Sequence, residues 1–129
     1  MQLSLCSSHL YYNRLLEGTG KHNFKSMFTS KELIAFSAIL RVAACGEQSY
    51  PTGKPFNILL EAYERFSISP EMSNQSAQLS PREAFIILHN MDYSKRKIVF
   101  DWINEIAACD TVGSFRYKLA QNVKKILDL

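Results

Sequence analysis

The sequence predicts an all-α fold, a compact bundle of five or six helices, and three observations support this. Two capping boxes, from Thr29 to Glu32 and from Ser80 to Glu83, each mark the start of a helix. Apolar residues recur at helical spacing along most of the chain, and no segment alternates strongly enough to predict a strand. An Ala-Ala-Cys run occurs at 43–45 and again at 107–109, each time at a predicted helix end.

The length and composition predict a single helical domain over 1–129. With 129 residues, of which 47% are hydrophobic, the chain is long enough to bury its own core. Residues 1–28 are less regular, with a short helix that ends at Gly18 and a loop after it. The core is predicted over 29–127.

In the first half, a helix is predicted from Thr29 to about Cys45, with Gly46 at its C-terminal end. Its apolar residues cover most of the circumference, so burial on more than one side is expected. A segment with two prolines and two glycines follows at 46–55. The next helix is predicted from about Pro55 to Phe66, and 67–78 is predicted to be a polar connection.

In the second half, Ser80 and Pro81 predict the start of a helix that carries several apolar residues. Ser94 is predicted to cap the next helix, and Ser114 the last one. The last helix has four residues predicted to face inward: Phe115, Leu119, Val123 and Ile126.

The Ala-Ala-Cys runs belong to a wider similarity between two parts of the chain. Shifting the sequence by 64 residues aligns 34–63 with 98–127, with seven identities. These are Ile34/Ile98, Phe36/Phe100, Ile39/Ile103, Ala43/Ala107, Ala44/Ala108, Cys45/Cys109 and Lys54/Lys118. The pattern predicts a duplicated helical hairpin, in which small residues at two helix ends allow close packing.

The net charge and the cysteine content bear on nucleic-acid binding and on the cellular setting. The net charge of +3 is a mild excess, below the basic density typical of a dedicated nucleic-acid module. Cys6, Cys45 and Cys109 form no Cys-x-x-Cys pair, which favours a reduced, cytoplasmic setting. No signal peptide or membrane span is predicted. No cofactor is expected either.

No catalytic signature occurs in the chain, so an enzyme is not predicted. The segment EGTGKH at 17–22 lacks the glycine spacing and the hydroxyl residue of a phosphate-binding loop. The three histidines, His9, His22 and His89, lie in dissimilar contexts with no partner pattern.

Residues 85–106 allow a second interpretation, a helix-turn-helix that binds DNA. The reading helix would be 94–104, with Lys95, Arg96 and Lys97 contacting phosphates. Leu88 opposes this interpretation because the crossing of the two helices normally has a small residue. Phe100 and Trp102 also make the second helix as apolar as a core element.

Asp110 follows the second Ala-Ala-Cys run, at a helix-to-loop junction where a carboxylate could bind a divalent cation. The stretch SPREAFIILHNMDYSKRKIVFDWINEIAACD resembles the TerB-like (tellurite-resistance) helical domain, an all-helical family with two similar halves. The resemblance implies divalent-cation binding and a role in bacterial stress responses, and Asp110 is the position that matches the family's motif. Thr111 stands where the family has glycine, and 111–118 contains no acidic residue.

The leading hypothesis is therefore a non-enzymatic, cytoplasmic bacterial domain that acts through contacts with a protein partner or with copies of itself. The alternative is a small helix-turn-helix regulator that binds DNA through 94–104. A third possibility is weak divalent-cation binding at Asp110.

Overall fold

The structure, a computed structural model, describes residues 27–129. The predictions for the first 26 residues concern the short helix that ends at Gly18 and the loop after it. They lie outside the described residues, as do Cys6, His9 and His22.

Residues 27–129 form six helices and no strand, which confirms the predicted all-α bundle. The first three helices are α1, α2 and α3, and α4, α5 and α6 follow after a short polar connection. Their bounds are Ser30–Cys45, Gly53–Arg65, Pro70–Ser76, Pro81–His89, Tyr93–Ala107 and Phe115–Ile126.

Both predicted capping boxes are formed. The Thr29 hydroxyl accepts a hydrogen bond from the Glu32 amide at 3.1 Å, and the Glu32 carboxylate accepts one from the Thr29 amide at 2.9 Å. Ser80 and Glu83 repeat this arrangement at 3.1 and 3.0 Å. The hydrogen bond from the Ser80 amide lowers the pKa of the Glu83 carboxyl. Backbone donors at the starts of α1 and α4 are satisfied in this way.

The predicted start of α5 at Ser94 is wrong, because Asp92 caps the helix. An Asp92 carboxylate oxygen accepts from the Lys95 amide at 3.0 Å and from the Ser94 hydroxyl at 2.8 Å. The bond from the Lys95 amide is the main reason that the pKa of Asp92 is lowered. A carboxylate also complements the positive end of the helix dipole better than a hydroxyl.

The segment 67–78, predicted to be a polar connection, contains the short helix α3. The Ser69 hydroxyl accepts from the Met72 amide at 3.1 Å, and Pro70 occupies the first helical position. Ser69 and Pro70 thus repeat the pattern of Ser80 and Pro81, from which the start of α4 was predicted. Ser76, at the end of α3, is buried against α1 and donates to the Ser73 carbonyl at 2.6 Å.

Helix α1 lies at the centre of the bundle and contacts all five other helices. This confirms the prediction that it is buried on more than one side. Nine of its residues are buried: Leu33, Ala35, Phe36, Ser37, Ala38, Ile39, Leu40, Ala43 and Ala44.

Four aromatic rings connect α1 with the elements on either side. The Phe66 ring stands edge-on to Phe28, Phe36 and Trp102, with centroid distances of 5.5, 4.9 and 5.8 Å. Rings at these distances and angles are attractive beyond the area that they bury. The cluster holds the end of α2 and the middle of α5 against α1.

The aligned residues of the sequence similarity occupy corresponding helices, α1 with α5 and α2 with α6. Ile39 and Ile103 are both buried, and so are the leading alanines of the two runs. Phe36 and Phe100 differ, because Phe36 is buried whereas Phe100 is only partly covered. Helix α5 packs chiefly on α1, α2 and α6, and so retains an outward face that the central α1 lacks. The duplication itself stays a prediction.

Candidate functional site

The basic residues predicted to contact DNA are engaged within the domain. The Lys95 ammonium lies 2.9 Å from a Glu32 carboxylate oxygen and 5.4 Å from the centre of the Phe28 ring. Its side chain is 19% exposed. Lys95 therefore ties the start of α5 to the start of α1.

The other two basic residues also have partners. Arg96 donates to the Leu127 carbonyl, and its guanidinium lies 5.9 Å from the centre of the Tyr93 ring. The Lys97 ammonium contacts both carboxylate oxygens of Asp101, at 2.8 and 3.1 Å. A phosphate would have to replace these partners or share the donors with them.

Helix α5 is also packed along much of its length. Val99, Trp102, Ile103 and Ile106 are fully buried. A reading helix needs an exposed face that fits a DNA groove. The packing favours the structural role of α5 that Phe100 and Trp102 indicate from the sequence, and DNA binding by 94–104 stays a prediction.

Asp110, the predicted cation ligand, is paired with Arg116. One Asp110 carboxylate oxygen lies 2.9 Å from Nη1 of Arg116. The same guanidinium donates from Nε to the Ala43 carbonyl at 2.8 Å and from Nη2 to the Ala44 carbonyl at 2.7 Å. One arginine thus joins the first Ala-Ala-Cys run to the residue that follows the second, an arrangement that we call the arginine junction.

Gly46 leaves the space that the arginine junction needs. Its backbone has φ +61°, where residues with a side chain are strained. A Cβ atom built on Gly46 would lie 2.9 Å from Cζ of Arg116. Glycine at the end of α1 was predicted to stop the helix, and it does so while also admitting the guanidinium.

The described residues offer little to a metal ion. Residues 27–129 contain no group of three or more His, Cys, Asp or Glu side chains placed to hold one. The Asp110 carboxylate and the carbonyls of Ala43 and Ala44 are already bound to one cation, the Arg116 guanidinium. A divalent cation would have to compete with it, and cation binding at Asp110 stays a prediction.

The two cysteines of the repeated run, Cys45 and Cys109, are free thiols, each partly buried. Burial raises the pKa of the Cys109 thiol, and the nearby Arg116 charge offsets part of that shift. A thiol with a raised pKa contains less of the nucleophilic thiolate at neutral pH. Cys109 therefore has the properties of a packing residue.

An apolar groove lies along α4, with the last residue of α6 at its edge. Its cavity volume is about 510 Å³. Ile86 from α4 is 55% exposed, and Ile126 from the end of α6 is 40% exposed. The groove, which we call the α4–α6 groove, is lined by Arg82, Phe85, Ile86, His89, Asn90 and Ile126.

The groove was not predicted from the sequence because Ile126 was expected to face inward, as was Phe115 elsewhere on α6. Both predictions are wrong, since Phe115 and Ile126 are each 40% exposed, whereas Val123 is buried as predicted, together with Ala120 and Leu127. The signal for the groove lies in α4, where the apolar residues at 85–88 are consecutive. Residues 100° apart on a helix cannot all face one core, so part of such a run must face outward.

A polar cluster between α1, α2 and α3 was also missed. The buried Ser37 hydroxyl lies 2.8 Å from the Tyr63 hydroxyl and 3.3 Å from the Ser76 hydroxyl. Arg41 donates to the Ser76 hydroxyl and to the Ser73 carbonyl, at 3.2 and 3.3 Å. The hydroxyl groups of this cluster hydrogen-bond to one another, and these bonds hold the short α3 on α1.

Comparison of the chain with protein-family models, with curated proteins and with solved structures found no match. The resemblance to the TerB-like domain therefore stays a prediction. Within residues 27–129, no helix has both the length and the apolar character that crossing a membrane requires.

Proposed function

We propose that this chain is a non-enzymatic protein-binding domain and that the α4–α6 groove is its contact surface. The observation that carries the proposal is the exposure of Ile86 on α4 and of Ile126 at the end of α6, which line one concavity. Single exposed apolar residues are ordinary, but several that line one groove are typical of a recognition site. A cytoplasmic, bacterial setting belongs to the same proposal.

The chemistry of the described titratable side chains supports a non-catalytic role. His89 lies at the groove with its Nε2 2.8 Å from an Asp128 carboxylate oxygen, at an exposed position. The Cys109 thiol has a raised pKa. Neither belongs to an arrangement of nucleophile, base and charge-stabilising donors around one point, which enzymes need.

Photo-crosslinking in cells of the native host tests the proposal. A photoreactive residue in place of Ile86 should form a covalent complex with a protein partner, whereas one in place of Leu60 should not. Leu60 is a control matched in exposure, at 47%, and it lies on α2 in a concavity that is otherwise lined by the polar residues Asn57, Glu61, Glu64 and Arg65. Equal crosslinking at both positions, or none at Ile86, would contradict the proposal. A complex between two copies of this chain would identify it as a homo-oligomer.

DNA binding by 94–104 has less support because its three basic residues are engaged with Glu32, Leu127 and Asp101. It would require salt-dependent affinity for duplex DNA that falls when Lys95, Arg96 and Lys97 are neutralised.

A further inference from the structure

We propose that a cavity beside Arg41 is a second binding site, which takes a small organic carboxylate with a short apolar body. The cavity lies between α1 and the segment 76–81, which leads from α3 into α4, and its volume is about 340 Å³. This volume lies within the range of small-molecule sites. None of the residues that line this cavity, which we call the Arg41 cavity, lines the α4–α6 groove, so the inference does not depend on the proposed function.

One edge of the Arg41 guanidinium is bound within the domain and the other is not. Both hydrogen bonds of the guanidinium come from Nη1, which donates to the Ser73 carbonyl at 3.3 Å and to the Ser76 hydroxyl at 3.2 Å. Nε and Nη2 have no hydrogen-bond partner among residues 27–129, and both are accessible to solvent. Nε and Nη2 each direct one N–H to the same side, which is the geometry that a carboxylate accepts with both oxygens. The unused edge is therefore a preformed bidentate donor.

The polar cluster between α1, α2 and α3 holds this guanidinium in place. The Ser76 hydroxyl is buried, and it accepts from Arg41 and from Ser37 while donating to the Ser73 carbonyl. A donor that is fixed before the ligand arrives loses little side-chain entropy on binding. Anchoring α3 uses only Nη1 of Arg41, so that structural role leaves the Nε–Nη2 edge available.

The charges around the cavity suit a ligand with a single negative charge. Arg41 is the one charged side chain among the described residues that line it. No carboxylate of residues 27–129 forms an ion pair with Arg41. Glu47 and Glu83 lie within two positions of lining residues, but neither lines the cavity, and Glu83 is engaged in the capping box of α4. The inference therefore rests on two unused donors in a cavity and not on a basic surface, and one guanidinium edge matches one carboxylate.

The remaining walls of the cavity are mainly apolar, which indicates the second part of the ligand. Ala38 and Val42 of α1 line it together with Leu79 and Pro81. A carboxylate bound to Arg41 would place a short hydrocarbon chain among these side chains, where removing apolar surface from water is favourable. An uncharged ligand would leave the guanidinium edge without an acceptor, and an inorganic anion would leave the apolar walls uncovered.

Nuclear magnetic resonance of the full chain tests the inference with hexanoate as the probe. The controls are hexanamide, which has the same shape and no charge, and hexylamine, which has the opposite charge. Hexanoate should bind with a dissociation constant of about 1 mM and shift the Nε–H resonance of Arg41. Both controls should bind at least about tenfold more weakly, because neither supplies a charged bidentate acceptor.

Alkylation of the cysteines locates the ligand in the cavity. Cys45 lines the Arg41 cavity, whereas Cys109 does not, and both are partly buried thiols. Hexanoate at about 10 mM should slow the reaction of Cys45 with iodoacetamide about fivefold, because most molecules then hold the ligand. The reaction of Cys109 should be unchanged. Mass spectrometry of the digested chain measures the two thiols separately.

Two arginine variants test the bidentate edge. Arg41→Lys retains the charge and removes the edge, so it should weaken hexanoate at least about fivefold. Arg82→Lys is the matched control, because Arg82 is exposed and lies outside the cavity, and it should leave the affinity unchanged. Circular dichroism checks the fold of both variants. Should Arg41→Lys fail to fold, the three ligands and the two thiols of the wild type decide the matter.

Four outcomes would overturn the inference: equal binding of hexanamide, no binding of hexanoate, alkylation of Cys45 that is slowed no more than that of Cys109, and unchanged affinity in a folded Arg41→Lys. A peptide whose free C-terminal carboxylate binds at least about tenfold more tightly than hexanoate would assign the cavity to a protein C-terminus, and it would overturn the small-molecule assignment. None of these results bears on the crosslinking at Ile86, which tests the proposed function separately.

Discussion

The ends of α1 and α5 carry the same Ala-Ala-Cys run and use it differently. At the end of α1, the carbonyls of Ala43 and Ala44 accept hydrogen bonds directly from Arg116. At the end of α5, it is the carboxylate of Asp110, one residue past the run, that contacts Arg116. A single guanidinium thus binds the end of α1 through backbone carbonyls and the end of α5 through a side chain.

The difference shows how two helix ends of like charge can lie close together. The C-terminus of a helix carries a partial negative charge, which a basic residue in the last turn usually offsets. Neither α1 nor α5 has a basic residue in its last turn. Arg116, from the first turn of α6, supplies that positive charge to both. Its own location is unfavourable, because the start of a helix disfavours a cation, so its role depends on tertiary contacts.

The largest effect is expected from Gly46→Ala. The substitution places a side chain at φ +61° and brings its Cβ to 2.9 Å from the Arg116 guanidinium. Backbone strain together with loss of the arginine contacts should lower the free energy of unfolding by about 3 kcal/mol. Chemical denaturation measures it.

Gly113→Ala is the matched control for Gly46→Ala. Gly113 also has a positive φ, +92°, but a Cβ there meets nothing within 4 Å. Gly113→Ala should lower the free energy of unfolding by about 1 kcal/mol, from backbone strain alone. Equal losses at the two glycines would show that the space for Arg116 has no energetic importance.

Arg116→Met should have the next largest effect, lowering the free energy of unfolding by about 2 kcal/mol. The methionine retains the aliphatic part of the side chain and removes three donors, leaving two backbone carbonyls unsatisfied. Lys118→Met, at an exposed position of α6, is the control and should change stability by less than about 0.5 kcal/mol. In the Arg116→Met background, Gly46→Ala should cost less than in the wild type, which a double-mutant cycle measures. Additive losses would contradict the arginine junction.

The sequence predicted the parts of this fold that depend on neighbours along the chain. The capping boxes at Thr29 and Ser80 involve residues three positions apart, and both are formed. The all-α class and the buried α1 follow from apolar periodicity in the same way. Helix α3 was not predicted although Ser69 and Pro70 mark its start, because the polar composition of 67–78 is also typical of a loop.

The candidate sites were less predictable because they depend on residues distant in sequence. Arg116 contacts the Ala43 carbonyl across 73 positions, and no local pattern marks such a pair. The α4–α6 groove depends on which of several apolar residues face the core, and periodicity leaves that choice open when four occur in succession. Ile126 and Leu127 are adjacent apolar residues that leave a similar choice, and Leu127 is the one that is buried, although Ile126 was predicted to face inward.

The smallest effect is expected from Asp110→Asn, which tests whether the end of α5 binds a cation or only the arginine. The amide retains an acceptor for Nη1 of Arg116 and removes the charge, so the free energy of unfolding should fall by about 0.5 to 1 kcal/mol, and by less at high salt. Because the guanidinium already occupies the Asp110 carboxylate, calcium or magnesium should leave the thermal midpoint of the wild type unchanged. A midpoint that rises with either ion in the wild type, and no longer rises in Asp110→Asn, would show that the cation displaces Arg116. The two helix ends would then differ in chemistry as well as in geometry.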